Sequence, residues 1–390
     1  MTILLYRYGS ICEPDIINTM NALGIGVAEI CEEITDKSLS ASRRVELVSE
    51  GIEQHNPVFV FSVNFFPAIA EVCYIYKVPY FCWTVDSPVL ELFSKSIQRE
   101  TNRIFMFDKA QYEYFHRFNP EGTFYLPLAA ATNRFDDVIA KATKQDIERF
   151  SCDISFVGSL YSEKNPLNEI NLPEYVKGYI DGIVEVSLRI YGYNFVEEAL
   201  SETCVNQLMK NPVGFHGAED PIVNPDTYMA AHFFVGHQIA EVERIRTLNT
   251  LAERFNVDLF TRSDTTHLKN VTVHGGVQSL TEMPIVFNRS RINLNMTVKP
   301  IQTGLPLRIF DIMGCGGFCM TNYQAEIPEY FEIGTDLETY GSMEELVDKC
   351  AFYLEHEEVR AQIARNGYEK VKAGHGYQQR VMEMLRRVAG

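Results

Sequence analysis

Short apolar runs alternate with helical patterns along most of this 390-residue chain, and this alternation restricts the fold more than any other feature. Parallel strands need a crossover between them, usually a helix, so the pattern predicts right-handed βαβ units around parallel sheets. In the first half the predicted strands are residues 3–6, 26–30, 58–62, 80–85 and 104–107. The predicted helices between them are residues 13–23, 42–54, 67–76 and 90–96.

A polar stretch without a sheet pattern, residues 132–150, predicts a linker between two domains. No convincing strand occurs within about residues 168–235, which predicts a mainly helical insertion. The sequence therefore predicts an α/β protein with two doubly wound Rossmann-like domains, residues 1–131 and 151–375, facing each other across a cleft. In the second half the predicted strands are residues 154–157, 257–261, 271–274, 292–295 and 317–321.

The charge balance and the cysteines restrict the partners and the compartment. The chain has 35 Lys and Arg against 52 Asp and Glu, without a long basic run, so nucleic acid is not an expected partner. Its nine cysteines form no Cys-x-x-Cys motif, and no apolar window approaches the ~18 residues of a membrane span. We therefore expect a cytoplasmic protein with reduced thiols, without a signal peptide or a transmembrane segment.

Several motifs that carry known chemistry are absent from the sequence. There is no Gly-x-x-x-x-Gly-Lys phosphate loop, no His-Glu-x-x-His and no Gly-x-Ser-x-Gly elbow. These absences argue against a P-loop kinase, a zinc protease of that type and an α/β-hydrolase. Asp-x-Asp, a common metal-holding pair, is also missing, so we predict no metal site.

The first of three candidate segments is an apolar strand that runs directly into Asp86, followed by Pro88. Proline suits the first turn of a helix, which places Asp86 at a strand end, at the cleft edge of the N-terminal domain. There Asp86 could accept a proton from an acceptor hydroxyl as a general base. It could equally cap the following helix, and the sequence leaves both roles open.

The second segment ends a predicted strand with Gly158 and Ser159 and continues to Lys164. A glycine at a strand end lets the backbone approach a ligand closely, and exposed backbone amides can bind phosphate. Lys164 would add a positive charge there. The alternative interpretation is a plain strand-to-helix turn with a solvated lysine.

The third segment is a strand that ends in Asn295, followed by a helix that begins around Pro306 and Leu307. A helix N-terminus offers free N–H groups and a positive dipole end to a diphosphate. Arg308 and Asp311 are three residues apart and share a helix face. A carboxylate at Asp311 can accept hydrogen bonds from both hydroxyls of a ribose. The alternative is a surface ion pair between these two residues, worth only ~0.5 kcal/mol.

Together these segments resemble the CgeB-like (spore-maturation type) glycosyltransferases. Residues 83–88, 156–160, 293–295 and 304–318 follow the family's order and span nearly the whole chain. The resemblance implies the GT-B fold with a group 1-like C-terminal domain. It also implies an acceptor bound by the N-terminal domain, a UDP-linked sugar bound by the C-terminal domain, and a final helix, residues 376–390, that crosses back to the N-terminal domain.

One position departs from the pattern of the related group 1 retaining transferases. Those enzymes carry two glutamates eight positions apart, and the second binds ribose. Asp311 falls at the second position, while Thr303, eight residues earlier, is not acidic. The stereochemical outcome of transfer is therefore left open.

The sequence thus predicts a metal-independent glycosyltransferase that uses a nucleoside-diphosphate sugar and no further cofactor. Lys164, Arg308 and the helix end near Pro306 would stabilise the departing diphosphate in place of a metal. The acceptor would be a hydroxyl group on a glycan, a protein or a small molecule. The alternatives are a nucleotide-sugar epimerase of the same fold and a non-catalytic nucleotide-sugar binding protein.

Overall fold

The computed structural model describes residues 1–211 and 220–389, which form two units, each built on a six-stranded parallel sheet. The first unit comprises residues 1–128, 220–225 and 377–389, and the second comprises residues 129–211 and 226–376. These two parallel sheets surrounded by helices confirm the predicted α/β class.

The first unit has the strand order β2-β1-β3-β4-β5-β6. Its strands are β1 Thr2–Tyr6, β2 Gly26–Ile30, β3 Val60–Val63, β4 Tyr80–Trp83, β5 Asn102–Met106 and β6 Thr123–Tyr125. Its helices up to residue 128 are α1 Glu13–Ala22, α2 Glu32–Thr35, α3 Ala41–His55, α4 Pro67–Tyr76 and α5 Lys109–His116, with 3₁₀ turns at Leu90–Phe93 and Lys95–Gln98.

The second unit has the strand order β12-β11-β10-β7-β8-β9. Its strands are β7 Ile154–Val157, β8 Val257–Phe260, β9 Thr272–Val273, β10 Ile292–Asn295, β11 Cys319–Asn322 and β12 Glu338–Tyr340. Its helices are α6 Thr132–Ala140, α7 Lys144–Phe150, α8 Glu174–Ser187, α9 Val196–Ala199, α10 Glu202–Met209, α11 Asp226–Tyr228, α12 Gly236–Ala252, α13 Met283–Arg289, α14 Leu307–Gly314, α15 Ile327–Tyr330, α16 Met343–Glu355 and α17 Glu357–Gly374. A 3₁₀ turn lies at Pro166–Asn168, and a π-helical segment, Met229–Val235, precedes α12.

In each sheet, successive strands are added first on one side of the starting strand and then on its other side, so each sheet has one topological switch point. In the second unit β7 pairs with both β8 and β10, so the reversal lies between β7 and β10. In the first unit β1 pairs with both β2 and β3, and the reversal lies there. Ligands of open α/β sheets bind beyond the carboxyl ends of the strands at such a switch point. The topology therefore gives each unit one preferred ligand position.

Close packing of α14 fixes the helix that follows β10. A Cβ atom on Gly314 would lie 2.8 Å from the Cβ of Ala130, and one on Gly317 would lie 2.5 Å from the carbonyl oxygen of Phe287. Both distances are shorter than side chains tolerate, so only glycine permits this approach. The C-terminal end of α14 is thereby held close to its neighbours.

Residues 132–150, predicted as a linker, instead form α6 and α7 within the second unit. Both helices contact α13. Their surfaces are polar, but Phe135 and Phe150 are buried and anchor them to the unit. A capping box between Thr143 and Asp146 begins α7. Two single aromatic anchors are too sparse to give a periodic apolar pattern, which is why the segment resembles a linker in sequence.

The insertion predicted at about residues 168–235 is helical where the structure describes it, and residues 212–219 lie outside the described residues. Helices α8, α9 and α10 and the π-helical segment share a separate apolar core. Residues 220–225 instead join the first unit, where the Lys95 ammonium pairs with Asp220 at 2.6 Å. No described helix combines the length and the apolar character needed to cross a membrane.

The last helix, α18 Tyr377–Ala389, is part of the first unit. It packs against α1, and the Tyr377 ring meets the Trp83 ring edge-on, with 5.9 Å between centroids. The Arg380 side chain donates from Nε to the carbonyl oxygen of Leu128 at 3.1 Å. The C-terminal segment of the chain therefore completes the unit with which the chain begins.

Candidate functional site

Arg244, on α12, lies at the switch point of the second unit. Its guanidinium donates to the carbonyl oxygen of Ser159, just after β7, at 2.6 Å, and to that of Met296, just after β10, at 2.9 Å. The rings of Phe156 and Tyr161 lie 5.3 and 4.6 Å from the guanidinium carbon, within cation–π range. The same cation thus connects the two strand ends between which a ligand is expected.

The charge of Arg244 has no carboxylate at ion-pair distance in the described part of the chain. Its two terminal nitrogens bond to neutral carbonyls, and its buried Nε has no hydrogen-bond partner there. Burial lowers the pKa of Arg244, and the nearby Arg308 cation adds to this effect. A cation held in this way is suited to an anionic ligand, since a buried charge is costly unless it is paired.

Arg308 and Asp311 lie on α14, which begins at Leu307 directly after Pro306. Arg308 donates to the Asp311 carboxylate at 3.3 Å and stacks 5.2 Å from the Phe287 ring centroid. Burial lowers the pKa of Arg308. Asp311 is only 5% exposed, so the pair is partly buried and is not the surface ion pair considered as the alternative.

Thr303, which stands where related transferases carry a glutamate, contacts a carboxylate from elsewhere in the chain. Its hydroxyl donates to Oε1 of Glu326 at 2.6 Å, and Glu326 is buried. The Glu326 amide also donates to the carbonyl oxygen of Thr303 at 3.2 Å. The loop before α14 is therefore tied to the start of α15.

The segment after β7 does not offer the amide cradle that its glycine suggested. The Gly158 amide donates to the carbonyl oxygen of Phe260, and the Tyr161 amide donates to the Ser159 hydroxyl at 2.8 Å. That hydroxyl donates in turn to Glu163 at 2.6 Å. Strand pairing and a local turn thus occupy these groups. What the segment presents to a ligand is Lys164, whose exposed ammonium lies 5.1 Å from the Tyr161 ring centroid.

Asn295 connects the ends of two neighbouring strands in the second unit. It is 4% exposed, and its side-chain amide donates to Thr297 at 2.9 Å and to Thr321 at 2.8 Å. These bonds join the carboxyl ends of β10 and β11. These bonds give Asn295 a structural role, and the donor-binding role predicted for it stays a prediction.

His237 is a neighbour of the site that the sequence did not single out. Its Nδ1 lies 2.9 Å from the carbonyl oxygen of Lys164, so the neutral ring donates there. Burial lowers the pKa of His237 to about 4, and the Lys164 and Arg244 cations contribute. His237 and Arg244 are seven residues apart, two turns on one helix face, and this spacing was the available signal.

In the first unit, Asp86 lies just after β4, beside the residue that follows β3. The Asn64 side chain donates to the Asp86 carboxylate at 2.6 Å, and its oxygen accepts from the Val85 amide at 2.9 Å. Asn64 also donates to the Tyr8 hydroxyl at 2.9 Å. Asp86 is exposed, and the next helical turn begins only at Leu90, so the predicted capping alternative is not what the structure shows.

The switch point of the first unit is already filled by a carboxylate of the chain itself. Glu13 accepts hydrogen bonds from the amides of Tyr8, Gly9 and Ser10 at 2.9–3.0 Å and from the Arg7 guanidinium at 3.1 Å. Gly9 has a φ of 93°, which turns these consecutive amides toward one point. Such a group of amides binds anions, and Glu13 is the anion here.

Comparison with known proteins gives one family match and several structural matches. The family model described as glycosyl transferase-like matches residues 243–386. No curated protein matches the sequence. Sucrose-phosphate synthase from Thermosynechococcus elongatus is similar in structure, with a TM-score of 0.57 and 11% identity over 100% of this chain and 98% of that one.

Two further solved structures are similar over the full length. HepE from Anabaena, solved in complex with UDP-glucose, gives a TM-score of 0.55 and 12% identity over 100% of this chain and 99% of that one. WaaG, a glycosyltransferase involved in lipopolysaccharide biosynthesis, gives 0.52 and 12% over all of both chains. The predicted fold is confirmed: this chain is a GT-B-fold protein whose C-terminal half contains a glycosyl transferase-like region.

Proposed function

We propose that the chain is a nucleotide-sugar-dependent glycosyltransferase whose second unit binds the donor diphosphate at the switch point of β7 and β10. The observation that carries this proposal is the convergence of three cations there, in a protein of net charge −17. Lys164 and Arg244 lie against the same ring, that of Tyr161, at 5.1 and 4.6 Å from its centroid. Arg308 lies near enough to Arg244 to lower its pKa. Such cations stabilise the charge that develops on a leaving diphosphate.

The position of the intramolecular carboxylate in the first unit supports the same assignment. Glu13 occupies the amides after β1, where a phosphate would otherwise bind. The equivalent position in the second unit presents Arg244 and the N-terminus of α14 without such a carboxylate at ion-pair distance from Arg244 in the described chain. The donor diphosphate is therefore assigned to the second unit and the acceptor to the first.

The remaining roles follow from this assignment. The Asp311 carboxylate accepts hydrogen bonds from the ribose hydroxyls. Asp86 takes the proton of the acceptor hydroxyl. That hydroxyl belongs to a glycan, a protein or a small molecule. A UDP-linked donor is supported by the likeness to HepE, which was solved with UDP-glucose.

Membership of the CgeB-like family is also part of the proposal. So is a cytoplasmic location, which is supported by the nine free cysteine thiols.

The direct test is a calorimetric titration of the wild-type chain with UDP, with uridine as the comparison ligand. We expect UDP to bind and uridine to bind much more weakly, because only UDP carries the diphosphate. Incubation with UDP-glucose and an acceptor panel then distinguishes transfer from epimerisation, since transfer releases UDP and epimerisation changes the sugar without releasing it. Binding without either product would favour the non-catalytic alternative.

Replacing Arg244 by methionine should weaken UDP binding by roughly tenfold to a hundredfold, the effect of losing a charge-assisted contact. Affinity for uridine should stay within twofold. Arg244→Lys, which keeps the charge, should retain part of the affinity, and the exposed Arg254→Met at the end of α12 is the matched control. Equal UDP affinity in wild type and Arg244→Met would remove the diphosphate from this position.

Turnover should not require a divalent cation, because Arg244, Arg308 and Lys164 supply the positive charge that a metal supplies in other transferases. The measurement is UDP release from UDP-glucose before and after treatment with excess EDTA. We expect rates within twofold of each other. Activity that EDTA abolishes and Mg²⁺ or Mn²⁺ restores would contradict metal independence.

A further inference from the structure

A cavity in the second unit is lined by none of the residues assigned above to the nucleotide, although one of its residues, Glu243, precedes Arg244 in the chain. Its volume is about 450 Å³, within the usual range of small-molecule sites. Its walls come from three places: the chain just after α8, the middle of α12, and residues 341–344 at the start of α16. We refer to it as the α12–α16 cavity.

Two buried side chains of α12 line the α12–α16 cavity with unused polar atoms. Glu243 is 3% exposed, and its Oε1 has no hydrogen-bond partner among the described residues. Thr247, one turn further on, is 1% exposed, and its hydroxyl is likewise without a partner there. Buried polar groups are nearly always hydrogen-bonded, so two such groups on one cavity wall indicate a missing partner. Burial also raises the pKa of Glu243.

Aromatic rings complete this polar wall. Tyr191 lines the cavity and meets the Tyr340 ring edge-on, with 5.7 Å between centroids. The Tyr340 hydroxyl is buried and has no hydrogen-bond partner in the described chain. Tyr340 lies behind Tyr191 and does not line the cavity itself, so a ligand here would find the Glu243 carboxylate, the Thr247 hydroxyl and the Tyr191 ring together.

The charges that line the cavity balance. Two arginines, Arg189 and Arg246, stand against two glutamates, Glu243 and Glu344. Arg246 also pairs with Glu185, which lies outside the lining, at 2.7 Å. This balance favours a neutral ligand over a phosphate or a cation. The ligand must also bring hydrogen-bond donors, because the Glu243 oxygen that has no partner can accept them.

We propose that the α12–α16 cavity binds a neutral polyhydroxylated molecule of monosaccharide size, separately from the nucleotide. Hydroxyl groups of the ligand donate to Glu243 and exchange hydrogen bonds with Thr247, while an apolar face of the ring packs on Tyr191. The proposal does not rest on the proposed transferase activity, because none of these residues belongs to the assigned diphosphate or acceptor sites.

The test is saturation-transfer NMR on the full chain with UDP present, so that the nucleotide site is occupied. The neutral probes are glucose, galactose and mannose, and the charged counterparts are glucose 6-phosphate and glucosamine. We expect at least one neutral hexose to bind more tightly than the charged probes. Glu243→Gln and Thr247→Val should each weaken that binding by ~tenfold or more. Glu253→Gln, an exposed change at the end of the same helix, should leave it unchanged.

A melting curve provides a second measurement that needs no ligand. Burial raises the pKa of Glu243 despite the nearby Lys299 and Arg244 cations, so its charge costs more to bury than they return. Glu243→Gln removes that charge without changing the side-chain shape, so at pH 8 it should raise the melting temperature by about 2–4 °C. An unchanged or lower melting temperature would show that hydrogen bonds within the protein already satisfy the Glu243 carboxylate.

Three binding results would also overturn the proposal. They are absence of hexose binding to wild type, binding that neither cavity variant alters, and binding of the charged probes alone. UDP binding is recorded in the same samples. A sample that binds UDP but no hexose contradicts this proposal alone, whereas a sample that does not bind UDP contradicts the proposed function.

Discussion

Replacing Asp86 by asparagine should lower the rate of sugar transfer roughly 10²–10⁴-fold, the usual contribution of a general base. Asparagine keeps the size of the side chain and can still accept the hydrogen bond from Asn64, which lies 2.6 Å away. UDP affinity should stay within twofold, because the change lies in the first unit. The measurements are the rate of UDP release with a working acceptor and a calorimetric titration with UDP.

The exposed Glu121→Gln, elsewhere in the first unit, is the matched control and should behave as wild type. The structural alternative is that Asp86 only holds Asn64, whose φ of 58° is unusual for a residue other than glycine. In that case Asp86→Asn would keep near-wild-type turnover and lose only thermal stability. A pattern of that kind would assign the acceptor base elsewhere.

Replacing Asp311 by alanine should weaken UDP binding by roughly tenfold to a thousandfold, since two charge-assisted hydrogen bonds to the ribose are lost. The structure adds a second expectation that the sequence did not give. Because Asp311 is buried beside Arg308, the change also leaves a partly buried guanidinium without its carboxylate. We expect this to cost about 1–3 kcal/mol of folding stability.

Asp311→Asn separates the two effects, because it retains side-chain volume and one hydrogen-bond acceptor. It should recover most of the melting temperature and only part of the UDP affinity. Uridine is the informative ligand here, since it carries the ribose without the diphosphate. A uridine affinity that neither variant changes by more than twofold would remove Asp311 from the nucleotide site.

The fold could be predicted from the sequence because strands and helices differ in local pattern. Buried strands such as Val60–Val63 are apolar and β-branched, and the helices between them carry the helical period. Residues 132–150 could not be placed, because their helices are held by Phe135 and Phe150, and only the tertiary structure shows what these rings pack against.

The candidate site was predictable only where one residue ends a strand or begins a helix. Asp86, Lys164 and Arg308 were predicted from segments that follow a strand or begin a helix, and Asn64, which follows β3, could have been predicted in the same way. Arg244 lies in the middle of a helix and reaches the site through carbonyl groups after two strands distant in sequence. No local pattern encodes such a contact, since it depends on the strand order.

The carboxylate of Glu13 also affects how the stability of each unit depends on bound ligand. A ligand that binds only the folded state adds about 2.7 kcal/mol of stability at one hundred times its dissociation constant. The first unit carries its anion as part of the chain, so this contribution is constant. Under the proposed assignment, the second unit gains it only when nucleotide is supplied. Limited proteolysis without UDP should then cut the second unit faster than the first, and added UDP should slow that cleavage.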